Sequence, residues 1–207
     1  MMNNIITITR QYGSGGHDIG KALAEKLNIP FYDKELITLA AKESGMSPEL
    51  FENVDEKATN SLLYSLSMGL YNYGNGFSSM GDLPVNDQLY ILQHKIIKQL
   101  AEKGPVVVVG RCADYVLRDH ENVVKIYIYA DIAHRTQRAI ERQKIDPARA
   151  KQAVLKADKN RANYYSFYSG KKWGFADNYD LCINSTFLTT EQAVNIITEY
   201  LNIKNSK

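Results

Sequence analysis

The sequence is poor in cysteine and has no long uninterrupted hydrophobic stretch. Its two cysteines among 207 residues, Cys112 and Cys182, form neither a disulfide framework nor a set of metal ligands. No apolar run approaches the roughly 18 residues that cross a bilayer, which excludes a transmembrane helix. The first residues lack the basic, apolar and small-residue sections of a leader peptide. We therefore expect a cytoplasmic protein with no membrane partner.

Net charge is also low, at +2, while 44% of the residues are hydrophobic, which is typical of a folded chain and excludes disorder. The charge is nevertheless uneven. Residues 134–172 hold eleven lysines and arginines against three acids, a surplus of +8 that leaves −6 for the rest of the chain. This segment either meets an anion or is a solvated helical face. Nucleic acid, phosphorylated small molecules and acidic proteins all remain open as partners.

Short apolar runs alternate with segments of helical spacing along the chain. The runs predict strands at 5–9, 29–32, 106–109, 123–130 and 181–184. The helical spacing predicts helices after residue 16 and at 34–43, 48–66, 87–102, 132–142, 147–168 and 190–201, and a long loop rich in glycine and tyrosine separates them at 67–86. Four consecutive valines at 106–109 are typical of a strand buried on both faces. The pattern predicts one α/β domain with a mostly parallel sheet flanked by helices.

Polar or glycine-rich residues follow each of the first four predicted strands. They are the stretch 10–16, Asp33, the pair Gly110 and Arg111, and Asp131. Ligands of parallel sheets bind at the carboxyl ends of the strands. The sequence therefore predicts a binding site at this edge.

The first of these strand ends carries a glycine-rich loop, Gly13-Ser14-Gly15-Gly16, directly before a predicted helix. Exposed amides and the positive end of a helix dipole attract anions, and glycine lets phosphate oxygens approach the backbone. A tight turn that requires positive φ is the alternative explanation. Four small residues where one glycine would make the turn favour phosphate.

The loop departs from the full phosphate-binding pattern G-x-x-x-x-G-K-[ST]. When Gly15 is aligned with the second glycine, Arg10 stands at the first glycine and Gly16 at the lysine. Because that lysine normally reaches the β- and γ-phosphates, another cation must replace it. Arg10, at the strand end, is a better candidate than Lys21, which lies more than a helical turn further on. His17 or Asp18 is a candidate for holding Mg²⁺ directly or through water, although Asp18 could simply cap the helix.

With these features placed, nearly the whole chain resembles the divergent, cytidylate kinase-like branch of the P-loop nucleoside monophosphate kinases. The resemblance is carried by ITITRQYGSGGHDIGKALAEKLNIPFYD, VVVVGRCADYVL, KIYIYADIAHRTQRAIER, KADKNRANYY and INSTFLTTEQAVNII. It is weakest over residues 44–90. The resemblance implies a core of about 1–43, 87–133 and 178–207, a helical acceptor-side insert of about 44–86, and a basic lid of about 134–177.

The resemblance further implies phosphoryl transfer from ATP and Mg²⁺ to a nucleoside monophosphate, as in conversion of CMP to CDP. Arg111 matches the arginine that contacts the acceptor phosphate, with Asp33 and Asp158 on the acceptor side. Arginines that match those of the closing lid are Arg135, Arg138 and Arg161. With Arg10, these arginines are the predicted catalytic cations.

Two departures keep other functions open. The lysine is missing, and no arginine follows shortly after Asp33 on the acceptor side. A phosphorylated small molecule other than a nucleotide is therefore a possible acceptor, and a non-catalytic nucleotide-binding protein is the alternative to a kinase. A nucleic-acid-binding module ranks last, because a pI of about 8.4 is below the value typical of such domains. Monomer and homodimer are both compatible with the sequence.

Overall fold

The computed structural model describes residues 4–33, Glu35, Leu39 and 85–206. Its described strands are β1 (Ile5–Arg10), β2 (Phe31–Tyr32), β3 (Val106–Val109), β4 (Val123–Tyr129) and β5 (Leu181–Asn184). They form one sheet in the order β2-β3-β1-β4-β5, and every pairing is parallel. The predicted parallel, five-stranded sheet is confirmed. Since β1 lies at its centre, the loop that follows β1 opens between β3 and β4.

Helices connect these strands and cover both faces of the sheet. The described helices are α1 (Gly16–Leu27), α2 (Val85–Glu102), α3 (Ala113–Val116), α4 (Ile132–Gln143), α5 (Pro147–Ser169) and α6 (Thr190–Asn205), with a 3₁₀ turn at Ala176–Asn178. Local signals fix two of their starts. The Asp146 side chain accepts from the Ala148 amide ahead of α5, and Thr189 and Gln192 form a capping box at α6. None of the described helices is both long and apolar enough to cross a bilayer.

The core lies on both faces of the sheet because the central strands are apolar on both sides. Ile6 and Ile8 of β1 pack with α1 and α6, whereas Ile5 packs with α2 and α3 on the opposite face. The four valines of β3 are at most 2% exposed, and they alternate between the two clusters. Burial of this apolar surface, at roughly 25 cal/mol per Å², positions the strand ends that carry the polar residues.

Element boundaries differ from the prediction in a few places. The second strand is limited to Phe31–Tyr32, because Asn28 takes a left-handed conformation that ends α1 and Pro30 has no amide to donate. Short elements α3 and Ala176–Asn178 have no periodic signal and were not predicted. The predicted helix at 48–66, most of the helix at 34–43 and the loop at 67–86 up to residue 84 lie outside the described residues. Glu35 and Leu39 are helical, and α2 begins within the last two residues of the predicted loop.

Candidate functional site

The carboxyl ends of β1, β2 and β3 bring three charged side chains to one edge of the sheet. Arg10 is the last residue of β1, Asp33 follows β2, and Arg111 follows β3. The Arg10 Nη2 atom lies 3.3 Å from the Asp33 Oδ1 atom. Arg111 is close enough to both that each perturbs its pKa. The edge predicted from the strand ends therefore holds two cations and one carboxylate.

The glycine loop turns directly into α1. Gly13 and Gly15 have φ values of 77° and 81°, a left-handed conformation that few other residues adopt. Gly15 is the N-cap of α1, and no described side chain caps the helix. The first amides of α1 are therefore available to an anion, and the helix dipole favours negative charge there.

Each glycine of the loop is packed tightly against an arginine. A Cβ atom on Gly13 would lie 2.6 Å from the Arg135 carbonyl oxygen. A Cβ atom on Gly15 would lie 2.6 Å from the Arg138 Nη1 atom, so that guanidinium rests on the loop. Both glycines are thus required by packing as well as by φ.

Gly16, at the position of the missing lysine, packs against the side chain of Arg10. A Cβ atom on Gly16 would lie 2.5 Å from the Arg10 Cβ atom. Beyond this point the Arg10 side chain passes Gly110 and its guanidinium reaches Asp33. The space that a lysine stem would need is therefore filled by Arg10, which brings a cation from the glycine loop to the ends of β2 and β3.

Arg111 lies in an unusual stretch of backbone. Gly110, Arg111 and Cys112 have consecutive positive φ values of 82°, 58° and 53°. For a residue other than glycine this conformation costs about 1–3 kcal/mol, and such strain clusters at functional sites. Ordered packing at Ala113 and Val116 of α3, which are 1% and 3% exposed, holds the stretch in place.

The charges next to Arg111 are those of a second cation, Arg10, and of one carboxylate, Asp33. Burial lowers the pKa of its guanidinium, and the neighbouring Arg10 lowers that pKa further, whereas Tyr164 and Asp33 oppose both effects. Arginine nevertheless stays protonated in proteins. An anion that bound between Arg10 and Arg111 would relieve their repulsion, and the binding of a phosphate at this edge stays a prediction.

His17 and Asp18 begin α1 and link Asp33 to helix α4. The His17 Nε2 atom lies 3.7 Å from Asp33 Oδ2, and His17 Nδ1 lies 3.4 Å from Asp18 Oδ1. The other oxygen of Asp18 pairs with Arg142 and lies 3.9 Å from Arg138 Nη2. Among the described residues no group of three or more potential ligands could hold a metal ion. Magnesium binding at His17 or Asp18 stays a prediction.

Arg135 and Asp158 form a buried pair that holds the start of the glycine loop. Arg135 is 5% exposed, and its Nε and Nη1 atoms donate to the carbonyl oxygens of Ala130 and Tyr12 at 2.9 and 3.2 Å. Nη1 also pairs with Asp158, whose other oxygen accepts from the Tyr12 amide at 2.7 Å. The structure thus brings both residues to Tyr12. Their predicted contacts with phosphate and acceptor stay predictions.

The remaining predicted arginines also face the loop. The side chain of Arg138 is 17% exposed, and burial, followed by the nearby Arg142, lowers its pKa. Arg161 donates from Nη1 to the Arg10 carbonyl oxygen at 3.1 Å, and its guanidinium carbon lies 5.3 Å from the centre of the Tyr12 ring. Two long helices, α4 and α5, therefore direct cations at the residues on either side of Gln11.

A sequence model of the cytidylate kinase-like family matches residues 5–187, which include the glycine loop and every arginine named above. The chain belongs to the cytidylate kinase-like family. No curated protein matches the sequence significantly.

Solved structures agree with the kinase fold of this family. The chain is 30% identical, with a TM-score of 0.70, to an uncharacterized protein from Eubacterium ventriosum, over 96% of this chain and 98% of that one. It also resembles shikimate kinase from Bacteroides thetaiotaomicron, with 16% identity, a TM-score of 0.57 and coverage of 96% and 98%. It also resembles a gluconokinase from Sinorhizobium meliloti, with 14% identity, a TM-score of 0.50 and coverage of 98% of each chain. The two low identities show the fold alone.

Several residues that contact the site in this family member were not identified from the sequence. Tyr12 is the residue that Arg135 and Asp158 hold, and Ser185, just after β5, donates from Oγ to the Ser14 carbonyl oxygen at 2.7 Å. Gln11 accepts from the Ala130 amide at 3.1 Å. All three follow a predicted strand, but position at a strand end does not single out an individual residue.

Proposed function

We propose that the chain is an ATP-dependent kinase that phosphorylates a nucleoside monophosphate, with CMP as the first acceptor to test. The observation that carries this proposal is the pair Arg10 and Arg111, held with Asp33 directly beside the uncapped start of α1. Phosphoryl transfer needs positioning and neutralisation of charge more than covalent help. Family membership and the kinase fold support a phosphotransferase in general.

On the donor side, the glycine loop would bind the β- and γ-phosphates of ATP. Gly13, Ser14, Gly15 and Gly16 present the backbone to those oxygens, and the Arg138 guanidinium already rests on the loop. Arg10 supplies the cation that the missing lysine would supply elsewhere. Its guanidinium reaches towards the acceptor side, where the transferred phosphoryl group must pass.

The residues around α1 fit a magnesium ion that enters with ATP. Mg²⁺ keeps several waters and is commonly bound by one or two carboxylates together with substrate phosphates. Asp18 and Asp33 supply such carboxylates on either side of His17. Bound there, directly or through water, the ion would neutralise the phosphate charge, and His17 would orient the two carboxylates.

On the acceptor side, Arg111 would hold the phosphate that is phosphorylated. One of its ionised oxygens attacks the γ-phosphorus of ATP, the bond from that phosphorus to the bridging oxygen breaks, and ADP leaves. A phosphate monoester with a second pKa near 6 is already ionised at neutral pH and needs no general base. Asp114 is suited to structure instead, because it is 5% exposed and accepts from Tyr165 Oη at 2.7 Å.

One of the predicted catalytic residues, Arg135, acts in this proposal by positioning. Arg135, together with Asp158, fixes Tyr12 and so fixes where the loop begins. Arg138 contacts the glycine loop and Arg161 contacts the Arg10 carbonyl oxygen just before it, and both would neutralise charge as the donor binds. Their inward placement disfavours nucleic-acid binding, since these cations of the +8 segment are directed at the loop.

The blocked lysine position favours one alternative, a nucleotide-binding protein without turnover. Release of ADP should be measured with Mg-ATP and a panel of nucleoside monophosphates, together with calorimetry of ATP binding. The proposal expects ADP release that depends on one acceptor, CMP first. Binding of ATP without turnover for any acceptor would establish the alternative, and absence of ATP binding would overturn both.

A further inference from the structure

Gln93 of α2 is a fully buried polar side chain with one half of its amide unused. It is 1% exposed, and its Oε1 atom accepts from the Tyr164 Oη atom at 3.3 Å. Its Nε2 atom is buried and has no hydrogen-bond partner within the part of the chain that the structure describes. The great majority of buried amide groups in proteins are hydrogen-bonded, because leaving one without a partner costs free energy. The Gln93 Nε2 group is therefore available to donate to an acceptor on another molecule.

The surroundings of Gln93 connect it to the proposed acceptor site. Tyr164, its hydrogen-bond partner, is close enough to Arg111 to influence the Arg111 pKa. Tyr168, one turn further along α5, donates to Asp87 Oδ1 at 3.0 Å and stacks on Tyr90 at 3.9 Å between ring centres. We name the five residues of α2 and α5 the acceptor-side cluster: Asp87, Tyr90, Gln93, Tyr164 and Tyr168.

The hydrogen-bond pattern of the cluster defines what it can recognise. Tyr164 donates its hydroxyl hydrogen to Gln93 Oε1, so the unpaired group of the amide is its N–H. Burial raises the pKa of Tyr164, which keeps that hydrogen in place at neutral pH. The missing partner must therefore bring a lone pair, as a ring carbonyl or ring nitrogen does. Tyr164 and Tyr168 add flat apolar surfaces of the kind against which a planar ring packs.

We infer that Gln93 recognises the base of the acceptor nucleotide by donating its Nε2 hydrogen to a lone pair of a pyrimidine ring, the O2 or N3 atom of cytosine. This inference rests on the proposed function, in which Arg111 binds the phosphate of the same nucleotide. Phosphate and base would then be recognised by separate residues, Arg111 at the end of β3 and Gln93 on α2. Tyr164 lies between these two residues and orients the amide.

The test compares binding of CMP with binding of ribose 5-phosphate, which has the phosphate but no base. Affinities are measured by calorimetry for wild type, Gln93→Leu, Gln93→Glu and the control Gln152→Leu, which changes an exposed glutamine of α5. Gln93→Leu should weaken CMP about tenfold, the value of one hydrogen bond, and leave ribose 5-phosphate and ATP unchanged. Gln93→Glu should weaken CMP at least as much, because an oxygen replaces the donor. The control should match wild type.

Thermal unfolding without ligand separates recognition from a structural role. Gln93→Leu removes the unpaired N–H but also the acceptor of the Tyr164 hydroxyl, so stability is compared in the double variant Gln93→Leu with Tyr164→Phe, in which neither group is left unpaired. The double variant should melt no lower than wild type, whereas a glutamine needed for folding would give a lower Tm. A lower Tm together with weaker ribose 5-phosphate binding would overturn the inference. Equal CMP binding by wild type and Gln93→Leu would overturn it while leaving the proposed function intact. If wild type bound neither CMP nor ribose 5-phosphate, the acceptor site itself and the inference would both fall.

Discussion

The glycine-loop side and the Arg111 side of the site are built in opposite ways. On the loop side, Arg135 has three hydrogen-bond partners, and Ser185 donates to the Ser14 carbonyl oxygen. On the Arg111 side, Arg111 and Cys112 are strained by positive φ, and the nearby Gln93 Nε2 atom lacks a partner among the described residues.

This difference assigns different tasks to the two sides. A loop that is held by hydrogen bonds within the protein is preorganised, so little of the free energy of binding is lost in ordering it. Strain at Arg111 and an unpaired amide at Gln93 are costs of the free protein that a ligand can relieve. The loop side should therefore govern stability, and the Arg111 side should govern acceptor recognition and turnover. The variants below test that division, in order of decreasing effect.

The largest effect is expected from the buried pair on the loop side. Arg135→Met leaves Asp158 as an uncompensated, buried carboxylate and should lower the free energy of unfolding by about 3–5 kcal/mol, measured in urea. It should also weaken ATP binding, because the Tyr12 carbonyl oxygen loses its hydrogen bond from Arg135. Replacing Asp158 by leucine in the same variant should recover part of the stability, since no charge is then left unpaired.

Arg142→Met is the matched control on the same helix. Its ion pair with Asp18 is largely exposed, with side chains 58% and 39% accessible, so its loss should cost less than about 1 kcal/mol. Equal destabilisation by Arg135→Met and Arg142→Met would contradict the view that the loop side depends on its buried pair.

Arg111→Met should lower activity and leave the stability of the protein intact, unlike Arg135→Met. Loss of a preorganised cation at the transferred group typically lowers turnover by about 10²–10³-fold, and we expect that decrease in kcat/KM for the acceptor. The free energy of unfolding should not fall, because the variant removes a desolvated charge. Arg149→Met, at an exposed arginine of α5, serves as the control and should keep full activity. A large loss of stability with unchanged kcat/KM would reverse the assigned roles.

Part of the site on both sides could be predicted from the sequence. The order of strand, glycine loop and helix was readable from local pattern, and the position of Arg111 followed from the end of a buried strand. The family resemblance placed Arg135 and Arg138 in the lid, but a resemblance does not determine what each residue contacts. Arg135, one turn into α4, meets the Ala130 carbonyl, whereas Arg138 reaches Gly15.

Nothing in the local sequence singled out the residues whose contacts are made with distant parts of the chain. Tyr12 is held by Asp158, 146 positions away, and Gln93 is paired with Tyr164 across two helices. In the sequence, Gln93 is one polar residue in an amphipathic helix. Its burial follows from how α2 packs beside α5, which periodicity does not encode.

A smaller effect should follow from restoring the missing lysine. In Gly16→Lys the new Cβ atom would meet Arg10 at 2.5 Å, and such overpacking typically costs about 1–3 kcal/mol. We expect weaker ATP binding despite the added charge, measured by calorimetry. Combining it with Arg10→Gly removes the obstructing side chain and should recover stability in urea. Tighter ATP binding by Gly16→Lys alone would show that Arg10 does not fill the lysine position.

The smallest effect concerns the stack of Tyr90 of α2 on Tyr168 of α5. Burial, with a smaller contribution from Cys112, raises the pKa of Tyr90 from 10.0 to about 12. Between pH 10 and 12 the unfolded chain therefore loses this proton while the folded chain keeps it, so the free energy of unfolding falls as pH rises. Tyr90→Phe keeps the ring that stacks on Tyr168 but has no proton to lose, so the variant should lack this fall in the free energy of unfolding. Because Tyr90 is partly exposed, the difference between the two proteins at pH 12 should be less than about 2 kcal/mol. Urea unfolding should give equal stability for both proteins at pH 7 and a shallower decline for the variant above pH 10. Parallel declines would show that the Tyr90 hydroxyl is in contact with water, and the Arg111 side would then be less enclosed than its contacts indicate.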